Sequence, residues 1–286
     1  MNFDIISANY NNEKFLSNFL ISINQSTFLP DKLIIVDDAS TDSSLLVIKK
    51  LKPELKYKVC IIVNEKNLGF AKSLNKAIKE ITSEYFARLD PDDYVKPKRF
   101  EAQLNFLKNN NKIDLVGSNT DYIRSKRKIS VSKNPIPDLK IKKLIMKGLI
   151  PVIHGSIMGR SQTIKKFIYN QDLVPAEDYD LFAYYIYNNM KIANLPDSLT
   201  CVNIHNSSVS NDLKFSTVVK RYKICYNYFG YKKSFLGMRL EYFHQMYYRK
   251  YLFTNHFLRF IYLGLSLMCD PSKILKRISI KLYDKL

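Results

Sequence analysis

An α/β fold with a helical, basic C-terminal extension is what this 286-residue sequence predicts, on three observations. Through the first half, apolar runs of four to six residues alternate with longer segments of helical period, the pattern of βαβ units. Two of those runs end directly in acidic clusters, at the strand edge where open α/β sheets take their ligands. From about Asn211 onward the pattern turns almost wholly helical and rich in Tyr, Phe, Lys and Arg. The composition agrees: 46% apolar and 25% charged residues, with only 8 Gly and 10 Pro, exclude disorder, collagen and low-complexity scaffolds. A chain of this length buries roughly three quarters of its unfolded surface, enough for one large α/β domain with an appendage.

Taken in order, Phe3 to Ala8 reads as a strand, and Phe15, Leu16, Phe19, Leu20 and Ile23 form the apolar stripe of a helix packed on it. Leu33 to Val36 is a second strand running into Asp37 and Asp38, followed by a helix marked by Leu45, Leu46 and Ile48. Val59 to Val63 is a third strand, and Ala71 to Ile81 a helix with Leu74, Ala77, Ile78 and Ile81 inward. Tyr85 to Leu89 is a fourth strand ending at Asp90. After Pro97 come a helix carrying Phe100, Leu104 and Leu107, then a strand at Ile113 to Gly117. Strand-like pieces at Tyr122 to Ile129 and Val152 to Met158 precede a helix beginning near Glu177. The boundary is placed at 210/211: residues 1–210 a ligand-binding and catalytic domain, residues 211–286 a helical basic and aromatic region.

Lys and Arg number 45 against 26 Asp and Glu, a net charge of +19. From Leu213 to Leu286 there are 15 basic and 3 acidic residues, so +12 of that charge lies in the last quarter. Nucleic acid and an anionic membrane leaflet are the two obvious partners; solvated lysine surface is the plain alternative. Phe253 to Cys269, the most apolar stretch, contains Asn255, His256 and Arg259 and is shorter than the roughly 20 apolar residues of a membrane span. Residues 215–286 instead have the profile of interfacial amphipathic helices, or of faces that pack on the catalytic domain or on a second subunit. The cysteines, Cys60, Cys201, Cys225 and Cys269, are scattered with no Cys-X-X-Cys pair, and no signal peptide precedes Asp4, so a cytoplasmic setting is expected, peripheral at the inner face of the plasma membrane.

Chemistry concentrates where Ala87-Arg88-Leu89-Asp90-Pro91-Asp92-Asp93 puts three carboxylates within four positions just past a strand. Carboxylates this close repel one another, and a divalent cation with hard oxygen preference, Mg2+ or Mn2+, is the simplest compensation. A solvated turn capping the next helix is the alternative on these residues alone. Three further segments complete an ordered set with this one. Val36-Asp37-Asp38-Ala39-Ser40-Thr41-Asp42 ends a strand; Asn67-Leu68-Gly69-Phe70-Ala71-Lys72-Ser73-Leu74-Asn75 and Ala176-Glu177-Asp178-Tyr179-Asp180-Leu181-Phe182 open helices.

With Ile5-Ile6-Ser7-Ala8-Asn9-Tyr10-Asn11 at one end and Ile204-His205-Asn206-Ser207-Ser208-Val209-Ser210 at the other, the set resembles the family 2 inverting glycosyltransferases of the GT-A fold, which build bacterial surface polysaccharides. The resemblance implies a Rossmann-like mixed sheet flanked by helices and a nucleotide-sugar donor, most readily a UDP-sugar, with a lipid-linked or oligosaccharide acceptor. It implies that Asp38 bonds the nucleobase and Tyr10 lies against it, that Gly69 and Asp90 also bind the donor, and that Asp92 holds a metal on the diphosphate. Asp178, beside Glu177, would deprotonate the acceptor hydroxyl. His205 would be a further metal or phosphate contact; Asp93 would ligate through water or cap the next helix, Lys72 would assist near the phosphates or be an exposed helix lysine, and His154 falls in a segment where members of the family often carry His.

The sequence departs from the family where Ser7-Ala8-Asn9-Tyr10-Asn11 replaces the commoner Pro-Val-Tyr-Asn, where Leu74 stands for Arg, and where Ala39 stands for Gly. These bear on donor preference, since every carboxylate is kept. A sugar-phosphate nucleotidyltransferase, with a related fold, is disfavoured because the first glycine is Gly69. A nucleic-acid-binding protein using residues 213–286 would leave the carboxylates without a purpose.

Overall fold

The computed structural model describes residues 2–125, 127–205, 214–254 and 257–270. The expectations for Asn206 to Ser210, Asn255, His256 and the chain beyond 270 lie outside the described residues.

The expected βαβ units are present: β1 (Phe3–Asn9), α1 (Glu13–Asn24), β2 (Lys32–Asp37), α2 (Ser44–Leu51), β3 (Lys58–Val63), α3 (Phe70–Lys79) and β4 (Tyr85–Arg88). A two-residue strand β5 (Tyr94–Val95) and α4 (Arg99–Asn109) lead to β6 (Leu115–Arg124). Then follow β7 (Arg127–Val131), α5 (Asp138–Ile145), β8 (Met158–Arg160), α6 (Ser161–Ile164), α7 (Glu177–Tyr187) and β9 (Ile192–Asn203). Three helices close the described chain: α8 (Phe215–Phe229), α9 (Phe235–Phe253) and α10 (Leu258–Cys269).

One mixed sheet runs β3-β2-β1-β4-β8-β6-β9-β5, with β7 on β6. β3, β2, β1 and β4 are parallel, while the short β8 is antiparallel to both neighbours and joins this half to the parallel pair β6 and β9. The inner strands are apolar on both faces because helices cover both, and the period of two divides them cleanly. Ile6, Ile34 and Val36 face the cluster built with α3, α5, α7 and α8; Ile5, Leu33 and Ile35 face the one built with α1, α2 and α4.

The structure corrects four readings of the second half. Tyr122 to Ile129 is a hairpin between β6 and β7, not one strand. Val152 to Met158 is mostly a turn, with 3-10 geometry at His154–Ser156, before β8. The strand β9 and the helix α5 are present where no element was expected. β9 was hidden because Pro196 and Asp197 interrupt its apolar pattern; the ladder with β6 steps from Leu195 to Ser198 there, and this irregularity absorbs the proline.

α8, beyond the 210/211 boundary, packs on α7 and buries Val218, Tyr222, Ile224 and Cys225 in the cluster with Tyr179 and Phe182. No described helix is long and apolar enough to cross a membrane.

Candidate active site

The carboxyl ends of β1 and β2 lie side by side, Asn9 opposite Asp37, and two loops rise from them. The Asn9 amide donates to Asp37 at 2.8 Å, and Asp37 in turn accepts from the Ser40 backbone at 2.9 Å, so Asp37 is spent on shaping its own loop. Within that loop Ala39 sits at φ 59, the left-handed region where glycine is the easier residue. Helix starts are served by Asp42, which accepts from the Glu13 and Ser44 amides at 2.9 Å each. That leaves Asp38 to a different task. Its Oδ1 accepts from Asn64 Nδ2 at 2.7 Å and from the Leu68 amide at 2.8 Å; its Oδ2 accepts from the Gly69 amide at 2.8 Å.

Asp38 therefore bends the chain at Gly69, which has φ +91 and where a Cβ would fall 2.4 Å from the Gln171 side chain. Asp38 and Gly69 are thus brought together directly. Tyr10 stands 46% exposed at the tip of the neighbouring loop, its ring free to be covered by a flat ligand. Lys72 is exposed on α3, and Leu74, in place of the commoner Arg, is fully buried in the core.

Next to Gly69, Phe70 carries the Arg88 guanidinium 5.2 Å above its ring centroid. Arg88 ends β4, is itself buried, and grips Asp90 with both terminal nitrogens, Nη1 donating to Oδ2 at 2.6 Å. Asp90, Asp92 and Asp93 then offer oxygens within 4.8 Å of one another. Burial pushes the Asp90 and Asp93 carboxyls up, Asp93 well up, with Asp92 adding to both and Arg88 opposing. Asp93 does not cap the following helix: its Oδ1 accepts from the Asn203 amide at 2.9 Å, tying the cluster to the end of β9. Two residues on, His205 Nε2 lies 3.0 Å from Asp92 Oδ2, its ring stacked on Phe15 at 4.3 Å.

Asp92 and His205 stand side by side with side chains 25% and 16% exposed, while Asp90, 29% exposed, is occupied by Arg88. A carboxylate and an imidazole side by side, next to the incompletely neutralised Asp93, suit a divalent cation of the Mn2+ or Mg2+ type. Gly155 lets the His154–Ser156 turn approach: a Cβ there would come 3.2 Å from Asp90 Oδ2 and 3.4 Å from Asp93 Oδ2.

Glu177 and Asp178 open α7. Burial, and then the neighbouring Asp178, push Glu177 up to about 7, with Arg88 opposing and Asp90 adding. The Asp90 cluster and the start of α7 thus share one electrostatic neighbourhood centred on Arg88. Asp178 is also raised by burial, moderated by the Tyr179 amide, which donates to its Oδ1 at 2.6 Å, and by Arg221 and Arg88. Glu177 Oε2 is buried and has no hydrogen-bond partner among the described residues.

The folded protein keeps a proton on Glu177 that the unfolded chain has already released, so its stability falls as pH rises from the ordinary carboxylate range through about 7. Glu177→Gln removes that loss. Without added divalent cation, the variant is expected to match the wild type at pH 4 and to exceed it in urea midpoint at pH 8.

His154 does not join the acids. It is buried, its Nε2 is 2.7 Å from the Tyr169 hydroxyl, and burial followed by Arg88 holds it well below the usual imidazole range, so it is a neutral structural residue.

Beneath the site, the fully buried Arg99 of α4 donates to the Arg88 carbonyl at 2.9 Å and the Ile157 carbonyl at 3.3 Å. Gln103, one turn on, donates to the Ser156 carbonyl at 2.8 Å. Burial and then Arg88 push Arg99 down to about 9, while Asp93 and Asp90 support its charge. Arg99→Met keeps the stem but takes the donor from the Arg88 carbonyl, while the Ile157 carbonyl still accepts from the Arg88 amide at 3.0 Å. The variant is expected to lower unfolding free energy by about 2 kcal/mol in a urea melt.

Arg88, Arg99 and Gly155 were not singled out from the sequence. The signal for Arg88 was an arginine in a four-residue strand whose every other side chain is apolar, one residue from an acidic run. Nothing local marks Gly155, because its neighbours Asp90 and Asp93 come from another part of the chain.

The profile of the family described as Glycosyl transferase family 2 matches residues 4–167, from the start of β1 to just past α6. The chain belongs to glycosyl transferase family 2. It is a glycosyltransferase, an enzyme moving sugar from a nucleotide-sugar, and its sheet is the GT-A sheet. An uncharacterized glycosyltransferase of Methanocaldococcus jannaschii is 30% identical over 284 residues, 98% of this chain and 93% of that one. The amylovoran biosynthesis glycosyltransferase AmsE of Erwinia amylovora is 27% identical over 82% of this chain and 90% of its own length.

Among solved structures, S. aureus TarS 1–349 in complex with UDP-GlcNAc superposes with a TM-score of 0.64 at 17% identity, covering 94% of this chain and 89% of that one. The mannosyltransferase PcManGT of Pyrobaculum calidifontis, in complex with GDP-Man and Mn2+, gives 0.56 at 15% identity, covering 98% and 80%. These two likenesses show the shared fold.

Proposed function

We propose that this glycosyltransferase inverts the anomeric centre as it moves one sugar from a UDP-sugar to a hydroxyl of a lipid-linked or oligosaccharide acceptor in surface-polysaccharide synthesis. The observation that carries the reading is the cluster of Asp90, Asp92 and Asp93, whose oxygens lie within 4.8 Å of one another, with His205 Nε2 3.0 Å from Asp92. A relative named for amylovoran biosynthesis and a neighbour that binds UDP-GlcNAc support the polysaccharide setting and the donor.

Tyr10 supplies a ring for the nucleobase, and Asp38, whose Oδ2 accepts only one hydrogen bond among the described residues, supplies an acceptor for a base N–H. Asp90, steadied by Arg88, faces the ribose, and the Gly69 turn that Asp38 holds lies beside the donor. Asp92 and His205 would hold Mn2+ or Mg2+, which when bound neutralises the departing diphosphate. Asp178 takes the proton from the acceptor hydroxyl; that oxygen bonds the anomeric carbon as the bond from that carbon to the diphosphate oxygen breaks on the opposite face. Glu177 beside it keeps the pair from being too weak a base.

The test is a melting-temperature screen of nucleoside diphosphates with and without Mn2+, since a ligand of the native state raises Tm by mass action. UDP with Mn2+ should raise Tm most, and UDP alone little. A shift for no nucleotide would overturn the reading.

The C-terminal helices give the enzyme a place to work. On α10, Leu258, Ile261 and Met268 recur at helical spacing and are 53%, 49% and 77% exposed. Together with the basic excess of residues 213–286 this stripe fits an anionic membrane surface near a lipid-linked acceptor. Deleting everything from residue 215 would also strip α8 from the core, so the clean variant is Leu258→Ser, Ile261→Ser, Met268→Ser. It should lose most co-sedimentation with phosphatidylglycerol vesicles while its nucleotide-dependent Tm shift persists. Undiminished co-sedimentation would remove the membrane role.

A further inference from the structure

Between α6 and α7 the chain runs as a strap, residues 169–176, that joins the parts of the site. At its start the Tyr169 hydroxyl is 2.7 Å from His154 Nε2, in the turn whose Gly155 approaches Asp90 and Asp93. Asn75 of α3 brackets the Tyr169 backbone: its Nδ2 donates to the carbonyl at 2.8 Å and its Oδ1 accepts from the amide at 2.9 Å. Gln171 Oε1 accepts from the Ala71 amide at 3.0 Å, and its carboxamide fills the space that a Cβ on Gly69 would need. The first half of the strap is thus fastened to α3 and to the turn that Asp38 holds.

The second half is fastened from the C-terminal helices. Lys220 lies on α8, beyond the residues that match the family profile, and is half-buried. Its Nζ donates to the Asp172 carbonyl at 2.8 Å and to the Val174 carbonyl at 2.9 Å. A solvated lysine would leave its ammonium in water; here two carbonyls, two residues apart, converge on it, and hydrogen bonds from a charged donor are the stronger kind. They fix the strap just before it turns into α7, where the Ala176 amide donates to the Leu173 carbonyl at 2.7 Å and Glu177 and Asp178 follow.

We propose that Lys220 is a positioning residue for the transfer reaction: by holding the Asp172 and Val174 carbonyls, it sets where Asp178 stands relative to the donor-binding turn at Gly69. The proposal rests on the reading of Asp178 as the base. Its effect falls on the chemical step, because the donor end of the strap has its own fastenings in Asn75 and Gln171, while a base displaced by about 1 Å costs up to about a hundredfold in rate. The helical region then completes the active site.

The test combines amide hydrogen exchange with donor kinetics on the full-length protein. In Lys220→Met, which keeps the stem and loses the donors, the amides of Leu173, Val174 and Ala176 should exchange about tenfold faster than in the wild type, and those of Ala71 and Tyr169 at the same rate. The kcat for hydrolysis of UDP-GlcNAc or UDP-glucose with Mn2+, water standing in for the acceptor hydroxyl, should fall about tenfold, with the KM for donor within about twofold. Lys220→Arg, whose planar guanidinium offers donors to both carbonyls, should restore both readouts. Lys220→Gln, shorter but still polar, should behave as Lys220→Met does and serves if that variant does not fold. Unchanged exchange or unchanged kcat in these two variants overturns the proposal. A wild type that neither hydrolyses UDP-sugars nor binds UDP overturns the catalytic reading and the positioning role with it; faster exchange in Lys220→Met would then leave only the tie between α8 and the strap standing.

Discussion

Asp178→Asn is expected to lower sugar transfer about a thousandfold while UDP affinity in the presence of Mn2+ stays within about threefold of the wild type. The amide keeps the volume and can still accept the bond from the Tyr179 amide, so α7 keeps its first turn. What it cannot do is take a proton. A group that acts only in the transition state lowers kcat and kcat/KM together and spares donor binding. Glu177→Gln is the informative partner: with its carboxyl pushed up to about 7 by burial and by Asp178, Glu177 raises the basicity of the pair, so its loss should cost far less than the loss of Asp178. An Asp178→Asn enzyme at full activity would place the base elsewhere.

Asp92→Asn is expected to abolish the Mn2+-dependent part of UDP binding and to lower transfer about a hundredfold. The three acidic residues are not equivalent. Asp90 is held by Arg88, Asp93 is buried and committed to the Asn203 amide, and Asp92 is the one paired with His205. Asp93→Asn should instead act through the fold, since it loosens the end of β9 from the cluster. His205→Ala should be intermediate, removing a contact to Asp92 and the ring stacked on Phe15 while leaving the carboxylates. Titration calorimetry of UDP with and without Mn2+ separates the three.

The parallel half of the sheet was legible because each strand there is apolar on both faces and each helix carries one stripe, so period alone separates them. Beyond α4 that clarity fades for physical reasons. β9 contains a proline where the ladder steps, β5 has two residues, and α5 buries only Ile141 and Ile145 among charged neighbours. The turn around Gly155 mimics a strand because Val152, Ile157 and Met158 are all buried.

The site divides in the same way. Asp90, Asp92 and Asp93 are adjacent in sequence and so could be found by eye, and family resemblance supplied Asp38, Asp178 and His205. The cations that make the acids tolerable could not be found so. Arg88 sits inside a strand and Arg99 beneath the floor, and only folding brings their charges to bear.

Crystals grown with UDP and Mn2+, with anomalous diffraction locating the metal, test most directly whether these distant carboxylates serve one cleft. The account predicts a single strong manganese peak in coordination contact with Asp92 and the UDP diphosphate, the uracil beside Tyr10 and Asp38, and Asp178 facing the open side of the diphosphate. A manganese peak away from Asp92, or a nucleotide bound where Asp178 cannot reach its sugar end, would contradict it.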